Sequence, residues 1–343
     1  MKALVMLKPG EVAIQEKAKP VPGEGEVLLK VLRVGVCGSD LHAYKGIMPF
    51  LTYPRVVGHE LAVEVAEIPP SAKAAAKGYK EGDRVAVLPY LACGKCIACR
   101  GGKPNCCVDL KVLGVHIEGG MQEYITVPAG YVVPAGRVSL EDLPVVECFS
   151  IGFHSVRRAN PRPGEAAVVV GVGPIGLGVI HGLKERGARV IAMDINDKRL
   201  AYAKEVAKAD LLINSKTADP VKALSDLTGG ENAPVVIDAT GVAASMMKSF
   251  DFVSQGGTLV YAGLITADIT FADALFHRKE MSLLASRNAT FEDFRNVIAG
   301  LESGRISTRG FVTHTASLEK AAQDFPAWLK PETGVIKAVV EMR

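Results

Sequence analysis

The chain has 343 residues, enough for two domains at roughly 100–200 residues each. Hydrophobic residues make up 48% and charged residues 22%, an ordinary globular balance that excludes a disordered or collagen-like chain. A net charge of +3, scattered along the sequence, gives no basic patch for a nucleic acid or an anionic membrane. The apolar run after Met1 is too short for a signal-peptide core, and no run approaches the roughly 20 apolar residues that span a bilayer. The expected compartment is the cytoplasm.

The first 150 residues read as β-rich, with strand-like runs at 26–34, 61–68 and 84–88 separated by Gly, Pro and Asp turns. From about residue 163 the pattern changes to alternating strands and helices. Strands are predicted at 166–171, 189–194, 211–214, 235–238 and 258–264, and helices at 175–186, 197–208, 220–228 and 243–253. Such alternation implies a parallel sheet with crossover helices. A last apolar strand is expected at 334–340, and pattern alone does not assign it a sheet. The segment 280–286 is a candidate edge strand for pairing with a second copy of the chain.

Gly171-Val172-Gly173-Pro174-Ile175-Gly176 follows a buried-strand run and opens a helix. This is the context of a Rossmann-type dinucleotide site. One glycine permits the tight turn, one the approach of a pyrophosphate, and one the packing of helix on strand. The helix N-terminus offers free N–H groups and partial positive charge to the phosphates. The next strand ends at Asp194, placed to accept from the adenosine ribose hydroxyls and to repel a 2′-phosphate, so the expected cofactor is NAD. A plainer role for Asp194 is capping the next helix. Arg199 could lie near the adenine end or be a solvated helix residue.

Five of the seven cysteines fall within fifteen residues. Cys93, Cys96, Cys99 and Cys107 have the spacing of a closed, structural tetrathiolate zinc site, with Cys106 competing for the fourth place. A nucleic-acid zinc ribbon is the rival reading; the lack of surrounding basic charge counts against it.

Two further segments, Gly35-Val36-Cys37-Gly38-Ser39-Asp40-Leu41-His42 and Gly58-His59-Glu60, precede the cysteine cluster. With the cluster and the glycine motif in this order, essentially the whole chain resembles the zinc-dependent medium-chain dehydrogenase/reductase family. The run Glu147-Cys148-Phe149-Ser150-Ile151-Gly152 resembles its polyol branch, which includes sorbitol dehydrogenases. The segments around Tyr53-Pro54-Arg55, Gly114-Val115-His116 and Ser286-Arg287-Asn288 look like those of members acting on sugar acids, such as L-galactonate dehydrogenase.

The resemblance implies an α/β protein. Residues 1–152 and 292–343 are expected to form a β-rich GroES-like catalytic domain, and 153–291 a doubly wound dinucleotide-binding domain, with the active site in the cleft between them. It implies two zinc ions per subunit, one catalytic and one structural, and hydride transfer from a secondary alcohol to NAD. Cys37 and His59 match the catalytic zinc ligands; Glu60 and Glu147 match positions completing the sphere, directly or through water. Ser39 matches the hydroxyl that takes the alcohol proton, and His42 the histidine that passes it toward solvent. A homodimer or homotetramer is implied.

Two positions depart from the family pattern. Val63 stands where glycine is usual, and Cys148 where proline is usual, so Cys148 competes with Glu147 as a ligand. Adjacent helical side chains point about 100° apart, and the phase of the following residues favours Glu147. Arg55, His116 and Arg287 are candidate contacts for a polyhydroxylated substrate, anionic in the case of a sugar acid, or else sheet-edge and salt-bridge residues. Threonine 3-dehydrogenase-like and simple alcohol dehydrogenase activities are alternatives. So are a zinc-free enone reductase and a non-enzymatic zinc-binding protein on the same fold, though the retained Cys37, Ser39 and His59 argue against those two.

Overall fold

The computed structural model describes residues 1–342. The chain divides into two compact units, one of Met1–Glu147, Thr290–Glu302 and the segment from Thr308 onward, the other of Cys148–Ala289 and Ser303–Ser307.

The first unit is built on β-structure. Its principal sheet has seven strands, with Glu26–Val36 hydrogen-bonded to Glu60–Glu67, Tyr124–Pro128 and Lys337–Glu341. The C-terminal apolar strand finds its home here, antiparallel to Glu26–Val36 with Ala338 opposite Val36, and parallel to Val312–Ser317 on its other side. These strands are buried in nearly continuous runs, and Leu29, Val31, Val63, Val65 and Val340 share one core with the helix Leu318–Trp328. Val63 is fully buried, extended, and paired with Val31 and Val85, so a β-branched residue suits it. A three-stranded sheet, Glu11–Glu16, Lys2–Lys8, Arg55–Val56, packs into the same core. The short strands Tyr90–Leu91 and Lys111–Val112 pair at the base of the cysteine lobe.

The second unit is a six-stranded parallel sheet in the order Leu211–Asn214, Arg189–Asp194, Ala166–Val170, Ala233–Asp238, Val253–Tyr261, Ser282–Ala285. The order reverses between the third and fourth strands, the switch point at which doubly wound sheets bind ligands. The fold class expected from sequence is borne out. Boundaries shift at several elements, two of them for a clear physical reason. The predicted helix 243–253 is α-helical only over Ala243–Lys248 and tightens to a 3-10 turn over Ser249–Phe252. Its free carbonyls end on Lys279, whose ammonium donates to the Val253 carbonyl at 2.6 Å and reaches those of Phe250 and Asp251 at 3.5 Å. The strand predicted to 264 stops at Tyr261, because the amides of Ala262 and Gly263 both turn back to the Asp238 carbonyl. Ser282–Ala285 lies at the sheet edge and is largely exposed.

Candidate active site

The cysteine lobe gathers four sulfurs. Those of Cys93, Cys96, Cys99 and Cys107 all lie within 4.8 Å of one another, whereas Cys106 is exposed. Cys96 Sγ is 3.5 Å from Cys99 Sγ and 3.9 Å from Cys107 Sγ. A zinc–sulfur bond of about 2.3 Å gives a tetrahedral edge of about 3.8 Å, so this cage fits zinc. Backbone N–H groups of Cys99 and Val108 hold the Cys96 thiol down to about 6, favouring the thiolate a metal needs.

The second set of donors is buried in the first unit. Cys37 precedes the helix Gly38–Lys45, whose first turns carry Ser39 and His42. Asp40 pins the entry: its carboxylate accepts from the Cys37 amide at 2.9 Å and from the Gly58 amide at 3.2 Å. That ties the Cys37 segment to the one carrying His59 and Glu60. The His59 ring, only 6% exposed, hydrogen-bonds the Cys37 thiol. Burial would lower its pKa, but Cys37, Asp40 and Glu147 together raise it well above the usual histidine value. The surroundings thus favour positive charge at this point. Nδ1 of His59 and Oγ of Ser39 are buried with no hydrogen-bond partner among the described residues. Such orphaned polar atoms are costly unless a ligand satisfies them. A thiolate, an imidazole and a carboxylate form a donor set suited to zinc with a position left open.

The two carboxylates differ in how they are held. Glu60 is fully buried and accepts from the ammonium of Lys337 on both oxygens, at 2.6 and 2.7 Å. Lys337 also donates to the Val36 carbonyl at 3.2 Å. Gly35 is required opposite, because a Cβ there would stand 2.0 Å from Glu60 Oε2. Glu147, on the helix Val145–Ala159, is 4% exposed and accepts from the Tyr90 hydroxyl. Burial pushes its carboxyl up to about 7, against the pull of His59. Glu60 is thus paired with a cation of the chain, whereas Glu147 takes its hydrogen bond from a neutral hydroxyl. Neither Lys337 nor Tyr90 was singled out from sequence; a lysine inside the apolar run Val335-Ile336-Lys337-Ala338-Val339-Val340 was the one available signal.

In the second unit the glycine turn follows Ala166–Val170, and the helix Pro174–Glu185 has Gly173 at its N-cap and Pro174 in its first turn. Gly176 packs so closely that a Cβ would lie 1.9 Å from the Gly171 carbonyl oxygen, whereas a Cβ on Gly173 would meet nothing within 4 Å. That contrast separates a packing glycine from one open to a ligand. Ile175 is half-buried in the same helix. Asp194 accepts from the Val172 amide at 2.6 Å and from the Asn196 amide at 2.9 Å, so it braces the glycine turn. The helix cap is instead Asn196, which accepts from Lys198 and Arg199. Arg199 is half-buried on that helix.

Asp238, missed from sequence, closes the adjoining loop. Fully buried, it accepts from Thr240 N and Oγ1, Ser245 Oγ and Ser249 Oγ at 2.6–3.0 Å.

The proposed substrate contacts are not alike. Arg55 donates to Glu118 at 3.3 Å and to Thr52 at 2.9 Å, and Lys17 shares Glu118. His116 accepts from the Val112 amide at 3.2 Å and stacks on the exposed ring of Phe50, centroids 6.2 Å apart. Arg287 is exposed in the second unit.

A four-sulfur cage that fits zinc, a buried histidine among a thiol and carboxylates, and a dinucleotide-type fold on one chain point to the class of zinc-binding, nicotinamide-linked dehydrogenases. Comparison with known proteins agrees. Residues 23–137 match the alcohol dehydrogenase GroES-like domain and 174–303 the zinc-binding dehydrogenase domain. The chain is 37% identical over 341 residues to an L-galactonate-5-dehydrogenase of Escherichia coli K12, covering 99% of this chain and 98% of that one. It is 32% identical to a sorbitol dehydrogenase of Halalkalibacterium halodurans over 93% of this chain and 94% of the other. An alcohol dehydrogenase structure from E. coli CFT073, complexed with NADH, superposes with a TM-score of 0.91 at 32% identity, covering 100% and 99% of the two chains. The protein belongs to the zinc-binding medium-chain alcohol dehydrogenase family.

Proposed function

We propose that the protein oxidises a secondary hydroxyl of a polyol or sugar acid with NAD. The buried His59, hydrogen-bonded to the half-buried Cys37 and beside the buried Glu147, carries this reading, and the likeness to dehydrogenases named for L-galactonate and sorbitol supports the substrate class. Cys37, His59 and Glu147 would hold the catalytic zinc, with Glu60 in reserve on Lys337; Cys93, Cys96, Cys99 and Cys107 would hold the structural one. When bound, zinc supplies Lewis acidity to a substrate hydroxyl, and NAD accepts a hydride from the carbinol carbon. Ser39 takes the hydroxyl proton at its Oγ and His42 passes it on toward solvent. Burial, and then the neighbouring Lys45, hold the His42 ring below its ordinary pKa, so it is neutral and able to accept near pH 7.

The turn Gly171–Gly176 and the helix behind it orient the pyrophosphate, Asp194 takes the ribose hydroxyls, and Arg199 borders the adenine end. The salt bridge of Arg55 to Glu118 supports a structural role for that residue, while His116 and Arg287 each stay candidate substrate contacts. The exposed edge strand Ser282–Ala285 supports pairing with a second copy, as a homodimer or homotetramer. Among the described residues, no helix is long and apolar enough to cross a membrane. The clustered cysteines fit metal binding in a cytoplasmic protein rather than a disulfide framework.

The test is NAD reduction by zinc-loaded protein against polyols, aldonates and threonine. Turnover with a polyol or aldonate, abolished in Cys37→Ser, is expected. Turnover with threonine alone would replace the substrate class, and none at all by fully metallated protein would overturn the reading.

A further inference from the structure

We propose that Tyr90 is a positioning residue for Glu147, and that the cysteine lobe steadies the catalytic metal through it. This rests on the reading of Glu147 as a catalytic zinc ligand. Tyr90 is buried, and its hydroxyl donates to Oε1 of Glu147. A glutamate on a helix has three side-chain torsions with which to leave a metal. A fixed donor on one oxygen removes that freedom and leaves the other oxygen, Oε2, as the one that would face a metal.

The phenol is fixed in turn by the lobe. Its strand, Tyr90–Leu91, stands just before Cys93, and the strand paired with it, Lys111–Val112, follows just after Cys107. The two strands are thus the entry and exit of the four-sulfur loop. Tyr90 lies opposite Val112 and Leu91 opposite Lys111. The hydroxyl of Tyr131 accepts from the Ala92 amide at 2.9 Å, and the Leu113 amide donates to the Pro89 carbonyl at 3.0 Å. Closing the loop on a metal holds the two strands in register, and the register aims the tyrosine. Outer residues that orient metal ligands in this way commonly change metal affinity or activity by about 10- to 100-fold when replaced.

The experiment follows zinc release from the two-zinc holoenzyme into a chromogenic chelator. The open, mixed-donor site should empty in a fast phase and the four-sulfur site in a slow one. Tyr90→Phe keeps the ring and removes the hydroxyl. It should speed the fast phase by about 10- to 100-fold and leave the slow phase unchanged. Glu147→Gln should also speed the fast phase, and the double variant should release no faster than Glu147→Gln alone. Weakening the lobe with Cys99→Ser should speed the fast phase when Tyr90 is intact, but add nothing further in the Tyr90→Phe background. If Glu147→Gln speeds release and Tyr90→Phe does not, the positioning role is wrong while the ligand reading stands. A fast phase indifferent to Glu147→Gln overturns both. Equal acceleration by Cys99→Ser in both backgrounds overturns the coupling through Tyr90.

Discussion

Lys337 holds Glu60 by both carboxylate oxygens, and the pair is buried to 3% and 1% side-chain exposure beside His59 and Glu147. Removing one member of such a pair leaves an uncompensated charge out of water. Lys337→Met should therefore lower unfolding free energy by about 3–5 kcal/mol. Adding Glu60→Gln removes the orphaned charge and should recover part of the loss. Urea denaturation of the two variants checks both statements; a double variant less stable than Lys337→Met would show that the pair is not the source of the effect.

Ser39 has a buried Oγ with no partner among the described residues, which suits a hydroxyl waiting for substrate. Ser39→Ala should lower kcat by about 100- to 10,000-fold while both zinc ions and the KM for NAD stay unchanged. His42 sets the pH dependence. Its lowered pKa places the acid limb of kcat below pH 6.5, with activity rising as the ring loses its proton. Lys45→Ala removes a nearby positive charge, so the limb should move to higher pH; His42→Gln should remove it. A limb that ignores both substitutions belongs to another group.

What could be read from sequence is local in sequence. The cysteine spacing brings four sulfurs together within one short loop, and the glycine turn lies between one strand and the helix after it. Physical rules for metal spacers and phosphate turns act over such short distances. The partners of the catalytic carboxylates do not: Lys337 and Glu60 are 277 positions apart, Tyr90 and Glu147 are 57. No periodicity in a single chain encodes those meetings, because sheet register and helix docking decide them. Arg55 shows the converse. Its chemistry suits a substrate carboxylate, but Glu118 already supplies one.

Asp194 braces the glycine turn, and Asp238 the loop that follows the neighbouring strand. Asp194 holds the Val172 amide and, in the proposed function, the ribose hydroxyls. Replacing it with Ala removes charge-assisted acceptors worth about 1.5–3 kcal/mol each. The KM for NAD should rise by roughly 10- to 100-fold, with no comparable gain for NADP. Asp238→Asn keeps the shape but replaces one of the two acceptor oxygens that serve four donors, so the serine hydroxyls must reorient, Ser249 onto the Ser245 carbonyl and Ser245 as acceptor from the new amide. A loss of about 1–3 kcal/mol in stability is expected, together with weaker NAD binding by calorimetry. Unchanged NAD affinity in the folded variant would restrict Asp238 to a structural role.

His181 gives a prediction independent of metal and cofactor. It is 4% exposed, lies 5.4 Å from the Phe149 ring, and has an Nε2 without a partner among the described residues. Burial lowers its pKa to about 4, from 6.5, with a backbone contact at Ser307 opposing. The folded chain therefore binds fewer protons here than the unfolded chain between those two values. Stability contributed by the neutral ring is fully present above pH 6.5 and is lost as pH falls toward 4. The loss approaches about 3 kcal/mol at the lower end. Replacing His181 with Leu, which needs no proton and fills the same apolar space, should flatten this part of the stability curve. Guanidinium midpoints measured from pH 7 to 4 on both proteins would show the gap; parallel curves would place the ring's pKa near its ordinary value.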